Sequence, residues 1–212
     1  MAWDFAAQIH ALTGFDADSS SATETEETFR TMTARWLTDA AKEVINILPP
    51  NLLRMCTATE SFDSTAVGSE GEVLNTGKVL NVFAGNYQAR EIHSSMKHKA
   101  NDQDSLEYAT STDPVFYVEN NKINVLPSGS SCKYEEVQFP SLSFDDTAIA
   151  TFPDEAEHLV VLKASIIAVE YLLAIEEDVE LYVPILGNLK QEYMQGINAL
   201  KTTELAQPQA KQ

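Results

Sequence analysis

Between Phe29 and Leu48 the apolar residues Phe29, Met32, Trp36, Leu37, Ala40, Ala41, Val44, Ile45 and Leu48 recur at steps of three and four, which predicts an amphipathic helix. Thr23 and Glu26 form a capping box ahead of it, Glu24 and Glu27 suit its positive start, and Pro49 with Pro50 stops it. A shorter helix is expected over residues 2–12, where Trp3, Ala6, Ala7 and Ile9 partly cluster before Gly14. From Leu52 to Phe144 the period shifts toward two. Strands are expected over residues 55–62, 79–84, 88–94 and 133–139, with a hairpin within Tyr108–Gly129 and turn-forming Gly, Ser, Asn and Asp clusters between them. Beyond Pro153 the pattern is helical again. Residues 159–175 are apolar on nearly every side, so this helix should be the most buried. A last helix is expected from near Pro184, presenting Ile185, Leu189, Tyr193, Ile197 and Leu200 before the polar tail TTELAQPQAKQ.

The hairpin is the most closely specified element. Two residues, Asn120 and Asn121, separate its apolar runs, and asparagine tolerates the positive φ of a two-residue type I′ turn. That turn sets Glu119 opposite Lys122, Val118 opposite Ile123, Tyr117 opposite Asn124 and Phe116 opposite Val125. Phe116, Val118, Ile123 and Val125 are then expected to cover a core, leaving Tyr117, Glu119, Lys122 and Asn124 as the face open to a neighbour.

The order helices, strands, helices implies an α+β fold: a helical bundle made from the N- and C-terminal helices, with a central antiparallel β insertion. The expected division is 1–50 for the first helical part, 51–150 for the β-rich insertion, 151–201 for the C-terminal helical pair and 202–212 for a tail. A chain of 212 residues with 44% hydrophobic content can bury a core.

Charge narrows the functional classes. Fourteen basic residues against 32 acidic ones give a formal net charge of -18, which repels a phosphate backbone and argues against sequence-specific DNA binding. Cys56 and Cys132 are far apart and suggest neither a disulfide framework nor a zinc site, so a reducing, cytoplasm-like compartment is expected. The start of the chain lacks a signal-peptide pattern. The apolar run from His158 is interrupted by Lys163 and Glu170, as suits a buried helix better than a membrane span.

No enzyme signature is visible: there is no phosphate loop, nucleophile elbow or zinc-protease motif. The histidines His10, His93, His98 and His158 are scattered, and the polar HSSMKH that holds His93 and His98 suggests a solvated loop. Asp16, Asp18, Ser20, Glu24 and Glu27 fall at positions 1, 3, 5, 9 and 12 of a calcium-loop pattern. Ser21 stands where that loop needs glycine, and the glutamates already serve the helix start, so an acidic linker is the reading preferred over a metal site. The adjacent pairs Asp145–Asp146 and Glu176–Glu177 point apart and suggest solvated surface. No metal and no cofactor is expected.

Three stretches together resemble the head-to-tail adaptor proteins of tailed bacteriophages, the connector subunits beneath the portal. WLTDAAKEVINILPPNLL (Trp36 to Leu53) is similar to that family's early helix with its proline turn. DSLEYATSTDPVFYVENNKINVLPS (Asp104 to Ser128) resembles its β unit, and FPDEAEHLVVLKASIIAVEYLLAIEEDVELYVPIL (Phe152 to Leu186) its C-terminal helical pair. The resemblance implies a non-enzymatic virion protein of the neck, made in the host cytoplasm and assembled as a ring, commonly of twelve copies. Its implied partners are its own copies, the portal, adjacent neck or tail proteins, and DNA passing through without sequence-specific binding; no membrane is implied. It further implies portal docking by a C-terminal arm, which here would place Leu205, Pro208 and Gln212 in contact. The alternatives are another neck or tail-terminator protein and, from a different class, a calcium- or small-ligand-binding module.

Overall fold

Helix α5 (Asp154–Ile175) buries side chains all around its circumference, from Ala156 through Leu159, Val160, Val161 and Leu162 to Val169 and Leu172. It is long and apolar enough to cross a membrane, yet it packs against α1 (Phe5–Thr13), α2 (Glu26–Ile47) and α6 (Val179–Ala206), as a core helix does. The structure is a computed structural model describing residues 3–16, 26–64, 71–175 and 179–206, without the side chains of 26, 27, 179 and 202–206. Among these residues the fold is α+β, with six helices and two four-stranded sheets. Two units divide the chain: the helices, from residues 1–56 and 139–212, and a continuous β unit, Thr57–Gln138. This β unit is narrower than the expected 51–150, because residues 51–56 and 139–150 group with the helices.

The expected stops of the first two helices are visible. The Asp4 side chain accepts the Ala7 N–H at 2.7 Å to start α1, and Gly14, at φ 76°, ends it. α2 lays Leu37, Ala40, Ala41, Val44 and Ile45 into the core, and the short α3 (Pro50–Leu53) follows the proline stop. Thr23 of the expected capping box lies outside the described residues. Phe15 packs edge-on against Phe29 and Trp36, with ring centroids 5.4 and 5.2 Å away, and Tyr171 of α5 completes this aromatic group. The two charges that interrupt α5 are both paired. Lys163 meets Glu43 of α2 at 2.9 Å, and Glu170 meets Lys190 of α6 at 2.9 Å. Tyr193 of α6 donates to Glu43 at 3.1 Å, and burial together with that carboxylate raises its pKa.

The last helix departs from expectation at both ends. Pro184 lies inside α6, not at its start, and the helix continues to Ala206 through what was expected to be the tail from Thr202. A proline there removes one N–H that would reach the Glu180 carbonyl, while Leu189 and Tyr193 remain buried further along the helix.

The β unit has strands β1 (Thr57–Asp63), β2 (Glu72–Val73), β3 (Val79–Ala84), β4 (Tyr87–Gln88), β5 (Arg90–Glu91), β6 (Val115–Glu119), β7 (Lys122–Leu126) and β8 (Ser131–Val137). The sheets run β1-β8-β3-β4 and β2-β7-β6-β5, and Phe62, Leu74, Val82, Phe116, Ile123, Val125, Cys132 and Tyr134 form one core cluster from both. The strand expected over 88–94 is two short pieces in different sheets. Ala89 is buried at this crossover and donates to the Val82 carbonyl at 2.8 Å. The following HSSMKH segment, expected as a solvated loop, makes a 3₁₀ turn (Ser94–Met96) and α4 (Lys97–Asn101), with Ala100 buried.

Candidate functional site

The hairpin β6–β7 has the register that its sequence dictates: Glu119↔Lys122, Val118↔Ile123, Tyr117↔Asn124 and Phe116↔Val125. Asn120 and Asn121 occupy the turn at φ 54° and 59°, and the Asn121 side chain also donates to the Leu74 carbonyl at 2.7 Å. Valines at both positions must adopt a left-handed conformation that disfavours branched side chains, at about 2–4 kcal/mol for the pair. Asn120→Val/Asn121→Val is therefore expected to raise hydrogen exchange throughout β6 and β7 while tryptophan fluorescence of the helical unit stays unchanged.

The expected neighbour face of this hairpin is largely covered. Tyr117 and Asn124 are each only 9% exposed, whereas Val118, assigned to the core face, is 36% exposed. The cause is the 3₁₀ turn and α4. Lys97 pairs with Glu119 at 3.1 Å, and the Tyr117 hydroxyl has its pKa raised by burial, with Lys97 opposing and Glu119 reinforcing that shift. Val115 of the same face packs with Ala100 and Ala109, joined by Ile92 and Leu126. Asn124 is shut in by the β2 side, where a Cβ on Gly71 would come within 2.7 Å of its side-chain oxygen. Of the four residues, Glu119 and Lys122 keep partial exposure.

What remains open is one edge of β6. β5 runs parallel to β6 for two residues only, Arg90↔Val115 and Glu91↔Phe116, held by Arg90 N–H to the Pro114 carbonyl and Ile92 N–H to the Phe116 carbonyl, both 2.9 Å. The chain then leaves the sheet. His93 begins the 3₁₀ turn, its Nδ1 accepting the Ser95 N–H at 3.3 Å. A pocket of about 370 Å³ opens there, lined by Glu91, Ile92, His93, Ser94 and Val118.

The other sequence candidates do not converge. Asp16 lies in the chain after α1 and Glu27 within α2, Asp18, Ser20 and Glu24 lie outside the described residues, and no group able to hold a metal ion occurs among those described. Leu205 is on the last turn of α6, with its side chain undescribed, and Pro208 and Gln212 lie outside the described residues. His158 is exposed on α5, and His10 Nδ1 lies 3.2 Å from the Phe15 carbonyl. Asp145 and Asp146 organise a turn: Ser143 donates its hydroxyl to Asp145 at 2.6 Å and its N–H to Asp146 at 2.7 Å. That turn's carbonyls, at Phe144 and Asp146, accept the N–H groups of Ala6 and Phe5 at the start of α1.

One buried acid escaped the sequence reading. Glu136 is fully buried in β8, and its Oε1 accepts from the Thr76 and Gly77 N–H groups and the Thr76 hydroxyl, the last two at 3.0 Å. Its Oε2 has no partner among the described residues. Desolvation pushes its pKa up, and the bonds from Thr76, Asn75 and Gly77 outweigh this, so the net shift is downward. The alternation Cys132, Tyr134, Glu136 carries the signal, because period two sends all three the same way.

No protein-family model and no curated protein matches the chain.

Proposed function

We propose that the chain is a subunit of the phage head-to-tail connector, a ring beneath the portal that joins capsid to tail and lines the DNA channel. In this reading α1, α2, α5 and α6 form a helical bundle drawn from both ends of the sequence, and the β unit is carried as an insertion for contacts with adjoining neck or tail proteins. The observation that carries it is the one-sided packing of α6. Leu189 and Tyr193 are buried, while Leu181, Val183 and Met194 are 57%, 52% and 55% exposed. A long helix that leaves large apolar side chains exposed suits packing against another subunit. The net charge of -18 suits a lumen that DNA traverses without adhering. Twelve copies, a place in the virion neck and no catalytic step complete the proposal.

Electron microscopy and light scattering of the purified protein, alone and with portal, test it. Closed rings on the portal are expected. Val183→Glu/Met194→Glu should abolish them while changing stability by less than about 1 kcal/mol, as surface substitutions do. A wild-type protein that stays monomeric and leaves portal unbound would sink the proposal.

A further inference from the structure

We infer that the open edge of β6 accepts an extended peptide segment of a partner protein, one that presents a basic residue to Glu91. The inference goes beyond the connector proposal and holds whether or not the chain forms a ring. In a hairpin closed by the two-residue turn Asn120–Asn121, Glu119↔Lys122 and Tyr117↔Asn124 exchange the ladder bonds. Phe116 and Val118 therefore direct their N–H and C=O groups to the opposite side. Phe116 uses its carbonyl there for Ile92. Val118 comes next on that side, and among the described residues no bond reaches its backbone there, because His93 has turned the chain away. A partner strand entering where β5 breaks off can take up both Val118 groups and continue the sheet.

The surroundings define the occupant. Val118 and Ile92 are the apolar residues lining the pocket, whose volume of about 370 Å³ has room for side chains of a short extended segment. Glu119 is neutralised by Lys97, and Arg90 is held by Glu107 at 3.0 Å and Asp113 at 3.6 Å. Glu91 makes no ion pair among the described residues and leaves the pocket mouth anionic. A lysine or arginine in the incoming segment complements it. Nucleic acid cannot substitute, since it lacks the alternating amide donors and acceptors and its phosphates meet Glu91.

The test is a titration of the ¹⁵N-labelled full chain with the peptide acetyl-Thr-Val-Lys-Val-Thr-amide, followed by amide shifts. Saturable shifts centred on Val118, Ile92 and Glu119 are expected, with a Kd on the order of millimolar for so few contacts. Replacing the peptide's lysine by glutamate, or Glu91→Gln in the protein, should weaken binding about two- to fivefold, the range of one exposed charge pair. Val118→Pro, which deletes the outward N–H but no bond to β7, should abolish binding. Glu91→Gln leaves the strand backbone intact and so decides the matter if the proline variant misfolds. No saturation at 10-fold above the millimolar range, shifts centred elsewhere, or equal binding of the glutamate peptide would each overturn the inference. Concentration-dependent shifts at Val118 without peptide would assign the edge to a second copy instead, and overturn it too.

Discussion

Glu136→Ala is expected to unfold the β unit while the helices persist. The substitution leaves the half-buried Thr76 and Gly77 N–H groups facing the space of the lost carboxylate without an acceptor, while the Thr76 hydroxyl keeps its bond to the Val137 carbonyl at 2.7 Å. A loss of about 2–5 kcal/mol is expected from two donors left without their charged acceptor, a large part of the stability of a small unit. Hydrogen exchange by mass spectrometry should show β2, β3, β7 and β8 exchanging freely, with α2 and α5 still protected. Uniform protection, or simultaneous loss in both units, would refute this. The same carboxylate predicts a pH dependence. Its pKa is depressed in the folded state, so its contribution is fully present above the ordinary glutamate range. Between that range and the depressed value the unfolded chain binds the proton more readily, and stability declines as pH falls through the folded pKa. Glu136→Gln should flatten the acid limb of the β unit's stability curve.

Gly196→Leu is expected to have the second-largest effect, in the other unit. A glycine inside α6 costs about 1 kcal/mol of helix propensity relative to alanine, so its presence calls for a packing reason. That reason is Leu159 of α5: a Cβ built on Gly196 would overlap the Leu159 Cδ2 methyl, and Leu159 is buried at 3% exposure. A leucine must displace the Leu159 side chain, beside a pocket of about 350 Å³ lined by Leu52, Leu200 and Glu155, at about 1–3 kcal/mol for overpacking. Leu159→Ala should restore part of the loss in the double variant, by making room. Thermal melts of the four proteins measure it, and additive effects would rule out the contact as the cause.

The elements that the sequence made legible are those governed by neighbours in the chain. The α2 stripe, the buried α5 and the hairpin register each follow from a local period or a two-residue turn, and each is present. Exposure of the hairpin was not legible. Tyr117 and Asn124 alternate outward from the core, but whether water or protein meets them depends on Lys97, Ala100 and Gly71, which reach them only through tertiary folding. The α4 segment itself was masked by polarity, since HSSMKH has a single apolar residue and its turn depends on a histidine side chain acting as a cap. Pro184 misled for a related reason: proline is a reliable start signal only where packing does not carry the helix past it. The candidate partner edge at Val118 was invisible beforehand, because it exists only where a parallel neighbour stops after two residues.

The β unit leaves the helices at Thr57 and returns at Val137, and these two residues face each other across the β1–β8 pair. For the helical unit, the intervening chain is a loop whose length depends on whether the sheets have formed. Unfolded, it separates α3 from the rest by a long flexible tether; folded, its two ends lie a strand spacing apart. Folding the sheets first would reduce the entropy of closing that loop by about 2–3 kcal/mol. The inserted unit thus acts on its host as a conformational staple, lending stability to helices whose side chains it need not touch.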